Sequence, residues 1–528
     1  LAAGLIQQLA SSQEDMLSKA STWILANPDA VQPWDSKGYK IPGGTPSNPA
    51  LAQMLSVAPA VLRSKTQGCF PAPEKILCAA VEGAQLIETR YFTELATGQV
   101  AKNMIGTFWF QLNQIKAGGS RPNGFDKIHT RKLGVLGAGM MGAGIAYVAA
   151  VAGIDVVLKD VSIDAAEKGK SYSAGLLDKK LARGQTTAEK RDAILGRIHP
   201  SIDDADFAGC DLIIEAVFED RELKAKVTQA AAQHALADAV IASNTSTLPI
   251  TGLASAVQRQ DNFIGLHFFS PVDKMPLVEI IRGKQTSEAT LARGFDFVMQ
   301  INKTPIVVND SRGFFTSRVF STFTSEGIAM LGEGIPAAMI ENIARQAGMP
   351  VGPLAVSDEV SMGLMSHIRE QTRKDLAAEG QALPEHPAFA VISQMVDSFK
   401  RPGKSAGAGF YDYPRDARKH LWAGLKEHFE KPEAMIAQED VRDRLLFIQA
   451  IETVRCVEEK VLGSTADANI GSIFGIGFAA WTGGALQFIN QYGLKAFVAR
   501  ARYLAEQYGE RFEPPALLLE KAASDSVF

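Results

Sequence analysis

Cysteine, net charge and long apolar runs are all scarce in this chain of 528 residues, and each scarcity excludes a class of protein. The four cysteines show neither C-x-x-C nor histidine-linked spacing, so the sequence indicates neither a metal site nor a disulfide framework. A formal charge of −4 gives no electrostatic basis for binding nucleic acid or an anionic membrane. No apolar run reaches the roughly 18 residues that a membrane-spanning helix needs, so no transmembrane segment is predicted.

The chain is too long for a single hydrophobic core, and the usual domain size predicts about three or four domains. Residues 1–26 indicate a short strand or turn around Gly4 to Leu9 and then a helix with Ser12 as its N-cap. Residues 27–50 contain five prolines and are predicted to be a linker. A helical pattern then runs from Pro73 to Ala117, and we interpret it as connecting helices. The polar segment that follows places a domain boundary before Lys132.

Three glycines follow an apolar run and open a small-residue helix. Gly137, Gly139 and Gly142 form G-x-G-x-x-G, in which the first glycine allows a tight turn, the second admits a pyrophosphate and the third permits close packing. A second apolar run ends in Asp160, which is placed to accept hydrogen bonds from a ribose diol. An acid at that position favours NAD over NADP, because the extra phosphate of NADP would meet a like charge. The stretch therefore predicts a Rossmann-type NAD-binding domain.

Residues 131–313 alternate apolar strands with helical segments, which is typical of a doubly wound α/β domain. Predicted strands after the first two are Asp211 to Val217, Val240 to Ser243, Phe263 to Phe268 and Thr304 to Val308. A long polar helical stretch, Ile163 to Arg197, separates the second strand from the third and is predicted to project from the sheet as an insertion.

After Arg312 the strand signals stop and two all-α regions follow. Their helices match in apolar period, and each has an arginine followed eight residues later by a glutamate: Arg318 with Glu326, and Arg444 with Glu452. Each region also continues into a glycine-rich loop, at 348–353 and 475–484. These matches favour an internal duplication.

His267 and Glu279, twelve residues apart, are the best candidates for managing a proton beside the nicotinamide. His267 ends an apolar strand on the side of the sheet where ligands bind in doubly wound folds. A histidine can take an alcohol proton near neutral pH, and a carboxylate on its second ring nitrogen would fix the tautomer. The alternative is a strand-end histidine bonded to backbone and a surface glutamate. The other seven histidines lie in polar, linker or helical contexts.

A second candidate element is SNTSTLP, residues 243–249, directly after a strand. Its hydroxyls and the Asn244 amide are suited to holding a substrate oxygen, while the alternative is a helix N-cap at Ser246 or Thr247.

Several motifs resemble one known family in both order and spacing. They are GAGMMGAGIA, EAVFEDRELK, SNTSTL, LHFFSPVDKMPLVEII and NDSRGFFTSR, and together they resemble the L-3-hydroxyacyl-CoA dehydrogenases over about residues 131–415. The second helical copy extends the resemblance to the α-subunits of multifunctional fatty-acid β-oxidation complexes. The N-terminal residues are similar to the tail of a crotonase-like enoyl-CoA hydratase domain, and residues 41–118 to the connecting helix of those proteins.

The resemblance implies roles for individual residues. It assigns proton transfer to His267, its orientation to Glu279 and the substrate 3-oxygen to Ser246. Residues at NAD-contacting positions are, besides the three glycines, Met141, Asp160, Glu219 and Lys224. The family often has asparagine where Ser270 and Ser317 stand, so these two substrate-binding positions must make their contacts differently, because serine is shorter and offers one donor hydrogen.

The resemblance also implies an architecture. It comprises a hydratase-domain tail (1–40), a linker with a long connecting helix (41–130), the NAD-binding domain (131–313), a first helical domain (314–415), a linker (416–437) and a second helical domain (438–528). The hydration machinery of such proteins lies upstream of this tail, so we expect this polypeptide to lack hydratase activity.

The implied reaction is oxidation of L-3-hydroxyacyl-CoA to 3-ketoacyl-CoA by NAD, without a metal. The implied partner is a thiolase β-subunit in a hetero-oligomer. We expect a bacterial cytoplasmic protein, although a truncated mitochondrial protein would have the same sequence features. The alternative functions are dehydrogenation of a free 3-hydroxy acid and service as a scaffold for a thiolase subunit.

Overall fold

The computed structural model describes residues 8–32, 35–39, 45–46, 48–82, 85–378 and 380–528, which form two compact units. One unit comprises the described residues up to 66 together with 71–92, and the other comprises 67–70 and the described residues from 93 onward. Most of the predicted strand or turn around Gly4 lies outside the described residues. None of the described helices is both long and apolar enough to cross a membrane.

The first unit is helical. Its elements are α1 (Gln13–Ala26), α2 (Pro49–Thr66), α3 (Pro71–Glu82) and most of α4 (Gln85–Thr97). The predicted cap of α1 is confirmed, because the Ser12 hydroxyl accepts a hydrogen bond from the Asp15 N–H at 3.1 Å. Helix α2 is not predicted by the sequence pattern; it contains Pro59, a residue that usually disfavours a helix interior.

The second unit begins with a segmented helix that leads to the sheet. Its parts are α5 (Gln99–Met104), a π-helical stretch (Ile105–Gln111) and α6 (Leu112–Lys116). The polar segment after α6 is fixed to the next domain by Arg121, whose guanidinium pairs with Asp296 at 2.7 Å.

The centre of the second unit is an eight-stranded sheet in the order β3-β2-β1-β4-β5-β6-β7-β8. The strands are β1 (Lys132–Leu136), β2 (Asp155–Lys159), β3 (Ile198–Ser201), β4 (Leu212–Glu215), β5 (Val240–Ser243), β6 (Phe263–Phe268), β7 (Leu277–Arg282) and β8 (Thr304–Asn309). The helices between them are α7 (Met140–Val151), α8 (Ile163–Ala182), α9 (Ala188–Gly196), α10 (Arg221–Ala232), α11 (Ile250–Leu253) and α12 (Glu288–Gln300).

The predicted α/β doubly wound class is confirmed. Every neighbouring pair of strands is parallel except β6 and β7, which are antiparallel. Strands β1, β4 and β5 are buried almost throughout, because helices cover both faces of the sheet. The stretch predicted to project from the sheet after β2 forms the helix pair α8 and α9, which connects β2 to β3, and α8 packs on the sheet domain through Ala166, Gly169, Ser173 and Leu177. The pattern analysis misses two strands: β3 has four residues and contains Pro200, and β7 carries Glu279 inside an apolar run.

Two helical regions follow the sheet, as predicted. The first contains α13 (Thr316–Glu333), α14 (Ala337–Gln346), α15 (Pro353–Val360), α16 (Met362–Ala378) and α17 (Ala388–Ser393), then the short strands β9 (Tyr411–Asp412) and β10 (His420–Leu421) and helix α18 (Gly424–His428). The second contains α19 (Gln438–Glu458), α20 (Thr465–Ile476), α21 (Ala485–Tyr492), α22 (Leu494–Tyr508) and α23 (Ala516–Ser524).

The matched arginines and glutamates of the two regions pair crosswise between α13 and α19. Arg318 pairs with Glu452 at 2.7 Å, and Arg444 pairs with Glu326 at 2.6 Å in a fully buried position. Because each copy donates its arginine to the glutamate of the other, the two helices pack with approximate two-fold symmetry.

The helix-to-loop junctions of the two copies also correspond. The Glu341 carboxylate accepts the Leu354 N–H at 2.8 Å at the start of α15, and the Asn469 amide oxygen accepts the Leu486 N–H at 3.1 Å at the start of α21. The same structural device therefore appears in both regions, as expected of a duplicated unit.

Candidate active site

The three glycines of the G-x-G-x-x-G motif occupy three different environments at the start of α7. Gly137 has φ +94°, and a Cβ there would lie 2.8 Å from the Ala216 carbonyl oxygen. At Gly142 a Cβ would lie 1.8 Å from the Gly137 carbonyl oxygen, so any side chain is excluded. Gly139 caps α7 and has open space where its Cβ would be. The loop thus provides a tight turn, close packing and an accessible helix N-terminus, which fits a dinucleotide pyrophosphate.

Asp160 lies at the end of β2 and contacts the glycine loop directly. One carboxylate oxygen accepts the Ala138 N–H at 2.6 Å and the other accepts the Val161 N–H at 2.7 Å. Each oxygen keeps a lone pair for a ribose hydroxyl, so these residues fit NAD. At the N-terminus of α7 it is Met140 that is 68% exposed, whereas Met141 is half-buried and packs against the core.

Glu219 and Lys224 form part of a buried ion network behind the β4 and β5 strand ends. The Lys224 ammonium, almost fully buried, lies 2.9 Å from Glu215 and 3.0 Å from Glu219. Burial alone would raise the pKa of Glu219, but Lys224 and nearby hydroxyl donors outweigh it and hold that pKa below its usual range. Lys224 therefore orients Glu219 and does not present its charge to solvent.

Glu219 in turn holds the segment that contains Ser246. One oxygen of Glu219 accepts the Thr245 hydroxyl at 2.5 Å and the Ser246 N–H at 3.2 Å. The Ser246 hydroxyl has no protein partner within the described part of the chain, and the side chain is half-exposed. No helix begins at Ser246, since the residue that caps α11 is Pro249. The N-cap alternative for this serine is therefore wrong.

His267 and Glu279 face each other across the antiparallel pair β6 and β7. They are directly opposite in register, and the His267 Nδ1 lies 2.9 Å from a Glu279 carboxylate oxygen. Glu279 is fully buried and His267 is 7% exposed, so the alternative of a surface glutamate is wrong. The carboxylate requires the proton on Nδ1, which leaves the Nε2 lone pair free to act as a base.

The first turn of α13 satisfies the rest of the Glu279 carboxylate. The Glu279 oxygen that does not face His267 accepts the N–H groups of Phe315 and Thr316 at 2.9 and 3.0 Å. The oxygen that faces His267 also accepts the Thr316 hydroxyl at 2.5 Å. The Phe269 ring lies 4.5 Å from the imidazole, centroid to centroid. The sequence analysis does not identify Thr316 or Phe269, because their roles arise only from tertiary contact.

Backbone and side-chain contacts bring these elements to one edge of the sheet. The Asn244 side-chain oxygen accepts the Phe268 N–H at 2.9 Å, which joins the Ser246 segment to the strand of His267. Ser270, which is exposed, lies with its hydroxyl 3.5 Å from the Met140 sulfur at the start of α7. Ser317 lies in the first turn of α13, next to Thr316, and is half-buried.

A glycine loop at a helix N-terminus, an acid after the second strand and a buried histidine–carboxylate pair at the same sheet edge define an NAD-dependent dehydrogenase. The NAD-binding domain of 3-hydroxyacyl-CoA dehydrogenase matches residues 132–311, and the C-terminal domain of the same enzymes matches residues 313–413.

Individual relatives agree with these matches. The chain is 34% identical to the crystal structure of (S)-3-hydroxybutyryl-CoA dehydrogenase PaaH1 from Ralstonia eutropha, covering 54% of this chain and 100% of that one with a TM-score of 0.50. The 3-hydroxybutyryl-CoA dehydrogenase of Escherichia coli shares the fold over 76% of this chain and 99% of its own, with a TM-score of 0.64 at 23% identity. The chain belongs to the 3-hydroxyacyl-CoA dehydrogenase family.

A longer relative extends the similarity on both sides of these domains. The fatty acid oxidation complex subunit alpha of Pseudomonas syringae is 33% identical over 483 residues, which is 87% of this chain. The present chain spans 64% of the length of that relative.

Proposed function

We propose that the chain oxidises L-3-hydroxyacyl-CoA to 3-ketoacyl-CoA with NAD⁺. The observation that carries the proposal is the buried pair of His267 and Glu279, with the imidazole Nε2 left free at the edge of the sheet where the glycine loop also lies. The substrate class rests on the family, whose Ralstonia eutropha member acts on (S)-3-hydroxybutyryl-CoA.

The residues of the chain manage the alcohol proton. The Nε2 of His267 takes the proton of the 3-hydroxyl group, and the imidazolium that forms is stabilised by Glu279 at 2.9 Å. In this proposal the hydroxyl of Ser246 hydrogen-bonds the same 3-oxygen. NAD⁺, when bound, accepts the hydride that leaves C3 of the substrate. The products are the 3-ketoacyl thioester, NADH and one proton, held by His267 until it passes to solvent.

The proposed setting is a fatty-acid β-oxidation complex. Its support is the similarity to a fatty acid oxidation complex subunit alpha, which covers 87% of this chain and therefore extends beyond the two dehydrogenase domains on both sides. In this setting the chain belongs to a protein that also hydrates 2-enoyl-CoA and that assembles with a thiolase β-subunit. We also propose an NAD-binding domain at 131–313 and helical domains at 314–415 and 438–528.

Replacing His267 by Ala tests the catalytic assignment. With NADH and acetoacetyl-CoA, we expect the rate to fall about 10²-fold or more, the usual contribution of a general acid or base. Binding of NADH, followed by its fluorescence, should remain. His234→Ala is the matched control, because that histidine is exposed and lies outside the site. Retained activity in His267→Ala would refute the assignment.

Two comparisons separate the alternatives. Equal rates with acetoacetyl-CoA and free acetoacetate would favour a free-acid dehydrogenase. A wild-type chain that binds NADH but reduces neither compound would favour the scaffold function.

A further inference from the structure

The loop Phe269–Pro276 joins the two strands that carry the catalytic pair, and it contacts the cofactor-binding helix at two points. Ser270 approaches Met140, and Val272 packs so closely on α7 that a Cβ at Gly144 would lie 2.7 Å from the Val272 Cβ. On the other side, Asp273 accepts a hydrogen bond from the Tyr172 hydroxyl of α8 at 3.0 Å. The position of this loop therefore determines where Ser270 lies relative to the start of α7.

Lys303, the residue before β8, binds the loop through two of its backbone carbonyl groups. Its side chain is 8% exposed, and its ammonium donates to the carbonyl oxygens of Val272 and, at 2.5 Å, Met275. The turn between them is tightened by the N–H groups of Lys274 and Met275, which both donate to the Pro271 carbonyl oxygen at 3.0 Å. The ammonium thus donates hydrogen bonds to two carbonyl groups that have no partner within the turn itself.

Neither acceptor of Lys303 is a carboxylate. Burial lowers the pKa of Lys303, an effect that the more distant Asp273 partly opposes. Burying a charge is unfavourable unless its donors are satisfied, and an apolar side chain of similar length would fill the same volume without that cost. A lysine at this position is explained by what it does to the two carbonyl groups, which is to hold the loop in one conformation.

We propose that Lys303 is a positioning residue for the substrate site: it holds the loop Phe269–Pro276 so that Ser270 lies at the N-terminus of α7, facing the bound substrate. Lys303 acts through Ser270 and touches neither substrate nor cofactor. This inference rests on the proposed function, because it assumes that Ser270 contacts the acyl-CoA substrate.

Lys303→Met is the test variant, and Lys274→Met is its control, because Lys274 is an exposed lysine of the same loop. A charge-assisted hydrogen bond contributes enough that its loss corresponds to about 10- to 100-fold in affinity. We expect Lys303→Met to raise KM for acetoacetyl-CoA about tenfold or more. The NADH dissociation constant should stay within about twofold, since Asp160 and the glycine loop are unchanged. A purely structural role would reduce the folded fraction, and with it the apparent kcat, without moving KM.

A double variant tests whether the effect passes through Ser270. If it does, adding Ser270→Ala to Lys303→Met should raise KM little further, whereas fully additive effects would overturn the proposal. If Lys303→Met fails to fold, Lys303→Gln keeps one donor group for one carbonyl and should still raise KM. An unchanged KM in that variant would also overturn the proposal. Absence of turnover in the wild-type chain would instead refute the proposed function.

Discussion

Glu279→Gln is the sharpest test of the catalytic pair, because the surroundings of the carboxylate leave an amide no satisfactory orientation. Glu279 accepts from four donors: the His267 Nδ1–H, two backbone N–H groups and the Thr316 hydroxyl. Glutamine offers one acceptor oxygen and one donor NH₂ group in place of two acceptors. One orientation keeps the backbone N–H groups satisfied and turns the NH₂ group toward His267. The other turns the NH₂ group toward two backbone donors in a fully buried position.

The first orientation is the less unfavourable one, and it changes the tautomer of His267. An NH₂ group that faces Nδ1 requires a lone pair there, so the imidazole proton moves to Nε2. His267 can then no longer take the alcohol proton, and no anion remains to stabilise an imidazolium. Loss of the correct tautomer and of general base catalysis predicts a kcat lower by about 10²- to 10⁴-fold.

The assay is NADH-dependent reduction of acetoacetyl-CoA at saturating concentrations of both compounds, with thermal unfolding and NADH fluorescence titration on the same samples. Unchanged NADH affinity should accompany the loss of kcat, because Asp160 and Gly139 lie apart from the pair. Glu167→Gln, an exposed acid on α8, is the control. A kcat for Glu279→Gln within about tenfold of the wild-type value, from folded protein, would refute the tautomer argument.

Three further predictions concern the cofactor loop and a buried acid. Gly139→Ala should weaken NADH binding and leave thermal stability nearly unchanged, because its Cβ enters open space at the pyrophosphate position. Gly142→Ala should lower both NADH affinity and thermal stability, because its Cβ would lie 1.8 Å from a carbonyl oxygen. Equal stability of the two variants would contradict this prediction. Asp160→Ser should shift the ratio of NADPH to NADH activity toward NADPH by about tenfold or more, since the like charge is removed and a hydroxyl acceptor is kept; an unchanged ratio would show that Asp160 does not select the cofactor. Burial raises the pKa of Asp467 to about 6, so the folded protein holds a proton that the unfolded chain releases near pH 4. The folded protein therefore loses stability as the pH rises from about 4 to 6. Asp467→Asn should melt at a higher temperature than the wild type at pH 7.5 but not near pH 4. A difference in melting temperature that does not depend on pH would contradict the raised pKa of Asp467.

The parts of the fold that sequence predicts well are those whose signal is local. Strands β5 and β6 have the predicted limits, because each is a short apolar run bounded by polar or turn residues. The glycine motif predicts its own geometry, since Gly137 needs a positive φ and Gly142 can carry no side chain. Strand β7 is missed because a buried glutamate, Glu279, interrupts its apolar run.

The candidate site is less predictable, because its contacts join residues that are distant in sequence. The twelve-residue spacing allows His267 and Glu279 to meet, but the antiparallel register that places them opposite is a property of the sheet. Lys224 matches a cofactor-contacting position by motif, whereas the structure turns its ammonium inward onto Glu215 and Glu219. A single sequence contains no signal for that choice, since either direction satisfies the helical pattern of α10.

The fully buried carboxylate of Glu279 links the sheet to the first helical region. A carboxyl group buried at the position of Glu279 is tolerated only if protein donors replace water, and β6 supplies one of the four donors. The others come from residues 315 and 316, at the electropositive N-terminus of α13. Two residues further on, Arg318 ties α13 to the second helical copy through Glu452 and Glu459. The orientation of His267 thus depends on a carboxylate that receives most of its hydrogen bonds from the helical region.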